Sequence, residues 1–389
     1  MSFGWCTIES DPSIIHSLLG LFRCRNLSAS EVYSLDEESM KAALIDSPGV
    51  DTRGLLFLFK YDASSAPSSA PSTTTTTPAP TPITPPPPGV FFASQTIQNA
   101  CCTQALLHIL FNLPESSETF TPSPSSKEGV QISIGPILKS LKSFTSRFPP
   151  SLIGHSIGNS LEVRIAHNTF ALPDPFRLLE EDDVPKPPGH AKTADVFHFV
   201  SYVSVGGAVY ELDGLEVGPV LLGNVDVGGG EGGGEGGGET WLGVARRRIL
   251  DRIERARGGI QFNLIAVGVD RLENLKEFRA NRNANANASA NASANAAGGG
   301  GGGDGVKSDS SSSSSRSTLD LDVLDALISD EEAIRERWKE ENRRRRHDYL
   351  PLIVGVLETL AKKGKLRKML ENADEGQRAK GKGKEKEKE

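Results

Sequence analysis

Residues 196–214 constrain the fold more than any other stretch of the chain. Val196-Phe197-His198-Phe199-Val200-Ser201-Tyr202-Val203-Ser204-Val205 and Ala208-Val209-Tyr210-Glu211-Leu212 are rich in β-branched and aromatic residues, and only Gly206-Gly207 separates them. Two such runs around a glycine pair predict an antiparallel hairpin closed by a primed turn, since glycine enters positive φ without strain. If Val205 faces Ala208, extending the pairing outward puts His198 opposite Leu215, and Asp213 lies two places from that partner. Residues two apart share a face, and the diagonal gap of about 7–8 Å can be bridged by side chains. The hairpin alone therefore brings an imidazole and a carboxylate together.

A third group completes a reactive set. Asn99-Ala100-Cys101-Cys102-Thr103-Gln104-Ala105-Leu106-Leu107-His108-Ile109-Leu110 has no helix breaker and an apolar density that suits a helix buried on most sides, with Cys101 near its N-terminus. A thiol attacks as the thiolate, a form favoured by the positive end of a helix and by an imidazole that takes the proton. Val90 to Gln95 reads as a strand leading into this helix, and the Gln95 amide can join the Cys101 backbone N–H in holding a developing oxyanion. His198 needs a carboxylate to fix its tautomer, and the hairpin supplies Asp213. Each residue has a plainer reading: a small core thiol, a hydrogen-bonded core histidine, a turn-forming aspartate, an uninformative glutamine. Only the conjunction of all four in compatible local structures favours chemistry.

Composition limits what else can fold. Of the 389 residues, insertions at 63–88 (Ser/Thr/Pro) and 226–239 (Gly/Glu), a linker at 276–317 (Asn/Ala, Gly, then Ser) and a Lys/Glu tail at 376–389 are too poor in apolar side chains to offset the entropy of ordering them, and are expected to be disordered. About 300 residues remain, enough for one sizeable core and a small helical appendage. Ser10-Asp11-Pro12 predicts a helix start, 54–61 a buried strand, 241–256 a helix with an arginine-rich outer face, and 258–267 another strand. Ser329-Asp330-Glu331-Glu332 reads as a capping box opening a charged helix, and Tyr349, Leu352, Ile353, Val356, Leu357 and Leu360 form an apolar stripe. Residues 318–375 are thus expected to be a helical module that docks onto a partner.

A net charge of -7 gives no reason to expect nucleic acid as a partner. No apolar run approaches about 18 residues and no signal-peptide pattern opens the chain, so neither a membrane span nor secretion is expected. The cysteines at 6, 24, 101 and 102 lack CxxC or zinc-type spacing and read as free thiols in a reducing compartment. No metal and no organic cofactor is expected.

Gln95-x-x-x-Asn99-Ala100-Cys101, Phe197-His198-Phe199 and Leu212-Asp213-Gly214 resemble the three catalytic blocks of the ubiquitin C-terminal hydrolase family, a papain-like group of cysteine peptidases. Trp5-Cys6-Thr7-Ile8-Glu9-Ser10-Asp11-Pro12 is similar to that family's N-terminal signature, and Arg346-His347-Asp348-Tyr349-Leu350-Pro351 to the appendage of its long, proteasome-associated subfamily. The resemblance implies an α+β fold of papain-like type over residues 1–275: a central, mainly antiparallel sheet flanked by helices, followed by the C-terminal helical module. It implies Cys101 as nucleophile, His198 as general base, Asp213 as its orienter and Gln95 in the oxyanion hole. It also implies ubiquitin as substrate, a proteasomal ubiquitin receptor bound through 318–375, a loop of about 168–194 crossing the active site, and a cytoplasmic and nuclear protein. Cys102 departs from the family's usual glycine or alanine; one residue along a helix turns about 100°, which points it away from His198 into the packing. The rival reading is a catalytically silent ubiquitin-binding scaffold docking through its C-terminal helices, which has no use for a complete base and orienter.

Overall fold

A computed structural model describes residues 4–61, 80–114, 130–170, 196–225, 240–255, 262–297 and 320–369. Contacts divide the chain into two units, one of 1–171 and 191–342, the other of 172–190 and 343–389.

In the first unit six strands form one antiparallel sheet: β1 (Leu27–Glu31), β2 (Thr52–Tyr61), β3 (Val196–Val205), β4 (Ala208–Leu212), β5 (Val220–Asn224) and β6 (Phe262–Val269), in the order β1-β6-β2-β3-β4-β5. Both faces are covered, which is why β2 reads as an unbroken apolar run. Leu56, with Phe199, Val203, Ile265 and Val267, packs under α1 (Pro12–Leu21) and α3 (Cys101–Phe111). Leu55 and Phe57, with Val200, Tyr202, Leu264 and Ala266, face α7 (Trp241–Arg255) and the short α2 (Glu37–Lys41). The expected start of α1 is met: Asp11 caps it by accepting from the Ser13 N–H at 2.8 Å, with Pro12 in the first turn. The remaining helices on the α3 side are α4 (Gly135–Thr145), α5 (Pro150–Asn159) and α6 (Leu161–Asn168).

The hairpin forms in the expected register, Val205 opposite Ala208 through Ser201 opposite Leu212, with Gly206 and Gly207 at φ 58° and 81°. β4 ends at Leu212, so β3 beyond Ser201 has no strand on that side, and the Asp213 turn fills the notch.

Residues 90–95 are not a strand. Their backbone groups are taken by side chains and turns instead: Phe91 by Asn112, Ala93 by Gln104 and His108, the Ser94 N–H by the Pro150 carbonyl, and the Gln95 N–H by the Gly214 carbonyl. The segment is thereby laid along α3. Gly154 of α5 allows this close approach, since a methyl there would lie 1.9 Å from the Ser94 carbonyl oxygen.

Three expectations are corrected. The end of the Ser/Thr/Pro stretch is docked: Pro82 bridges to Val220 and the Ile83 N–H donates to the Pro219 carbonyl at 2.8 Å, because Ile83 finds a place against the core. The Asn/Ala repeat, expected as linker, continues α8 (Arg271–Ala297), as alanine is the best helix former and no glycine or proline interrupts before 298. Ser329 opens no helix: α9 (Leu321–Arg345) begins eight residues earlier, where Leu321, Leu324, Leu327 and Ile328 pack against Leu272, Leu275 and Phe278 of α8. Residues 320–342 consequently belong to the first unit, held by Asn342 to Ser13 and Ser17, Arg335 to Asp270, and Arg271 to Glu331. In the second unit, α10 (Leu350–Lys362) carries the apolar stripe, and Leu352, Ile353, Val356 and Leu357 are exposed. The Gly/Glu insertion, the segment 171–194 and the tail lie outside the described residues.

Candidate active site

Cys101 is the first residue of α3, entered through a 3-10 turn at Gln98–Ala100, and its side chain is half-buried. The N-terminal segment braces this helix start. The Asn99 side chain donates to the Trp5 carbonyl at 3.0 Å, the Trp5 indole donates to the Gly158 carbonyl, and His167 bridges the Cys6 carbonyl and the Thr103 hydroxyl. The conspicuous Trp5-Cys6 sequence therefore positions the start of α3.

His198 and Asp213 are 3% and 4% exposed. The His198 Nε2 lies 2.7 Å from the Asp213 Oδ1, as the hairpin register foretells, and the Cys101 side chain is near enough to the imidazole to influence its titration. With Nε2 committed to Asp213, Nδ1 is the nitrogen left for the thiol. Burial alone would lower the His198 pKa, but the bond to Asp213, the Cys101 side chain beside the ring and the charges of both outweigh it and raise the pKa to about 9. Burial works against the ionised Asp213, yet its bond to His198, helped by the Arg252 charge and the Leu215 N–H, holds its carboxyl below the usual range. Asp213 thus fills both roles weighed for it: its Oδ1 caps the turn at Leu215 and holds the imidazole.

Gln95 is tied to the same turn by the 2.7 Å bond from its N–H to the Gly214 carbonyl, and its side chain is half-buried. Gly214 is required there, since a methyl would come 2.7 Å from the Gln104 Nε2 and 2.9 Å from the Gln95 Cβ. Cys101, His198 and Asp213 come together at the start of α3, and Gln95 joins the same turn through its backbone. Cys102 faces the core, and burial pushes its thiol well above the ordinary range. His108, one face below on α3, is kept neutral by burial, its pKa lowered to about 4.

Sequence reasoning missed one layer. The arginines of α7 do not all face outward: Arg248 and Arg252 both pair with buried Glu211, and Arg252 reaches Asp213. The pattern was available, because Glu211 and Asp213 are two apart on a strand end and Arg248 and Arg252 four apart on a helix, each pair sharing a face. Among the described residues no cluster of His, Cys, Asp or Glu is arranged to hold a metal ion.

A thiol at a helix start, an imidazole beside it and a carboxylate behind the imidazole define a cysteine hydrolase of papain-like arrangement. The family model "Ubiquitin carboxyl-terminal hydrolase, family 1" matches residues 5–253, and a second, "Ubiquitin carboxyl-terminal hydrolases", matches 321–366. The chain belongs to the ubiquitin carboxyl-terminal hydrolase family and is a thiol-dependent deubiquitinase. It is 31% identical to ubiquitin carboxyl-terminal hydrolase isozyme L5 of Dictyostelium discoideum over 95% of both chains, and 29% identical to ubiquitin carboxyl-terminal hydrolase ubh-4 of Caenorhabditis elegans over 97% of this chain and 94% of that one. The crystal structure of Trichinella spiralis UCH37 bound to ubiquitin vinyl methyl ester superposes with a TM-score of 0.53 at 27% identity, over 86% of this chain and 99% of that one.

Proposed function

We propose that this enzyme cleaves the bond after the C-terminal glycine of ubiquitin, with Cys101 as nucleophile, and that it does so at the proteasome. The observation that carries the reading is the His198 imidazole bonded to Asp213 at 2.7 Å and set beside Cys101 at the start of α3. The Cys101 thiolate attacks the glycine carbonyl, and the oxyanion is held by the Gln95 amide and the Cys101 N–H. His198, as imidazolium, protonates the leaving amine as the tetrahedral intermediate collapses to a thioester. Water, deprotonated by His198, then hydrolyses the thioester and frees ubiquitin. Asp213 holds the ring in the orientation and charge state that both half-reactions need. The protein works in the cytoplasm and nucleus.

The helical appendage binds the proteasomal ubiquitin receptor through the exposed apolar stripe of α10. The test joins two measurements on the full chain: hydrolysis of ubiquitin bearing a fluorogenic C-terminal amide, and binding to the purified receptor. Wild type is expected to do both, and the Leu352→Asp, Val356→Asp double variant to lose receptor binding at least tenfold while retaining helicity. Unchanged binding by that variant contradicts the docking assignment; a folded wild type that fails to turn over ubiquitin amide, with and without receptor, contradicts the catalytic one.

A further inference from the structure

Behind the His198–Asp213 pair lies a layer of charge that the reaction as written does not use. Glu211, 1% exposed, accepts from Arg252 at 2.7 and 3.0 Å, from Arg248 at 2.9 and 3.1 Å, and from the Tyr202 hydroxyl at 3.0 Å. The same Arg252 Nη2 stands 3.3 Å from the Asp213 Oδ2, the oxygen His198 does not occupy. The Arg252 guanidinium also lies over the Phe59 ring, 4.8 Å from its centroid. Phe59 is directly opposite His198 in the β2–β3 register, and their rings meet edge to face at 6.0 Å. One side chain therefore touches both the orienting carboxylate and the aromatic wall of the imidazole.

We propose that Arg252, locked in place by Glu211, is a positioning residue for the hydrolysis: it fixes the outer oxygen of Asp213 and the Phe59 ring, and through them the His198 imidazole against Cys101. This rests on the assignment of Cys101, His198 and Asp213 made above. Two carboxylates, Glu211 and Asp213, sit two residues apart in a buried place. Unscreened, they repel, and one takes up a proton. Arg252 bridges both, while Arg248 is shared between Glu211 and Asp251. A lysine ammonium does not reproduce this arrangement, because only the rigid planar guanidinium forks Nε and Nη2 onto Glu211 while Nη2 also reaches Asp213.

The other titratable groups around this cluster are His198 on β3, Cys101 and His108 on α3, His108 being neutral, and Glu216 in the following turn. Removing Arg252 strips one cation from this set, so Asp213 titrates at higher pH. A protonated Asp213 cannot accept from the imidazolium. The acid limb of the activity profile therefore moves up.

The experiment compares wild type, Arg252→Gln, Arg252→Lys and Cys101→Ala as full chains on ubiquitin fluorogenic amide across the pH range, at equal folded concentration. Arg252→Gln is expected to lose about tenfold to a hundredfold in kcat, the scale of a misplaced catalytic group, with KM within about twofold and the acid limb displaced upward. Arg252→Lys restores the acid limb and only part of kcat. A kcat within about twofold of wild type in both variants, or a loss confined to KM with an unmoved pH profile, overturns the inference. If Arg252→Gln does not fold, Arg252→Lys decides alone, through reduced or unchanged kcat. A dead Cys101→Ala beside normal Arg252 variants discards the positioning role only; an active Cys101→Ala discards the catalytic assignment and this role with it.

Discussion

Replacing Cys101 with alanine is expected to abolish turnover of ubiquitin amide, a loss on the order of a millionfold when a nucleophile is removed from a built triad. The neighbouring Cys102→Ala is expected to keep activity within about twofold and to cost about 1 kcal/mol of stability, the scale for trimming a small buried group. Two adjacent cysteines make this pair decisive, because composition treats them alike and geometry does not. Cys101 opens the helix, is half-buried and lies beside the imidazole. Cys102, a step of about 100° around the same helix, is 2% exposed within the main core. Its buried thiol is pushed away from ionisation, so it can neither attack nor lend charge to the site. Turnover and thermal melting of both variants check the prediction together.

Asp213→Asn is expected to lower kcat about 10²-fold with little change in fold, since an asparagine can still orient the ring, as in papain-like Cys-His-Asn sites, but no longer supports its charge. The asparagine keeps the shape and can still cap the turn at Leu215. It cannot hold the charge. The His198 pKa is raised to about 9 largely by its bond to Asp213 and by that carboxylate's charge, against the opposing effect of burial. With that charge gone only Cys101 still offsets burial, the imidazolium loses its proton at lower pH, and the basic limb of the activity profile moves down from about 9. The sign follows from the active form, an ion pair whose cation is His198: present below its pKa and lost above it. A pH profile of residual activity reads the shift directly, and a limb that stays put would mean that Asp213 does not set the histidine's charge.

How much of this was legible before the structure depended on whether the information was local. The hairpin register was, because Gly206-Gly207 fixes the turn and a period of two does the rest; His198 and Asp213 met as expected. The nucleophile helix was legible from its unbroken apolar run. The course of 90–95 was not, since its backbone partners are side chains of Gln104, His108 and Asn112, which resemble ordinary helix residues in sequence. Low-complexity composition also misled where alanine dominated: residues 276–297 obey helix propensity. The start of α9 was misplaced because a capping-box pattern at Ser329 looked stronger than the leucines upstream, one of whose partners on α8, Phe278, lies in a segment expected to be linker. Arg248 and Arg252 read as solvated for a similar reason, as their partner Glu211 sits on a strand far away in the chain.

The most direct test of the central claim is to react the full chain with ubiquitin carrying an electrophilic group in place of its C-terminal carboxylate, and to locate the adduct by fragment-ion mass spectrometry of the peptide holding both Cys101 and Cys102. A single ubiquitin adduct on Cys101, absent from Cys101→Ala and retained by Cys102→Ala, is the predicted result. An adduct on Cys102, or no adduct on a folded chain that still binds ubiquitin, would contradict it.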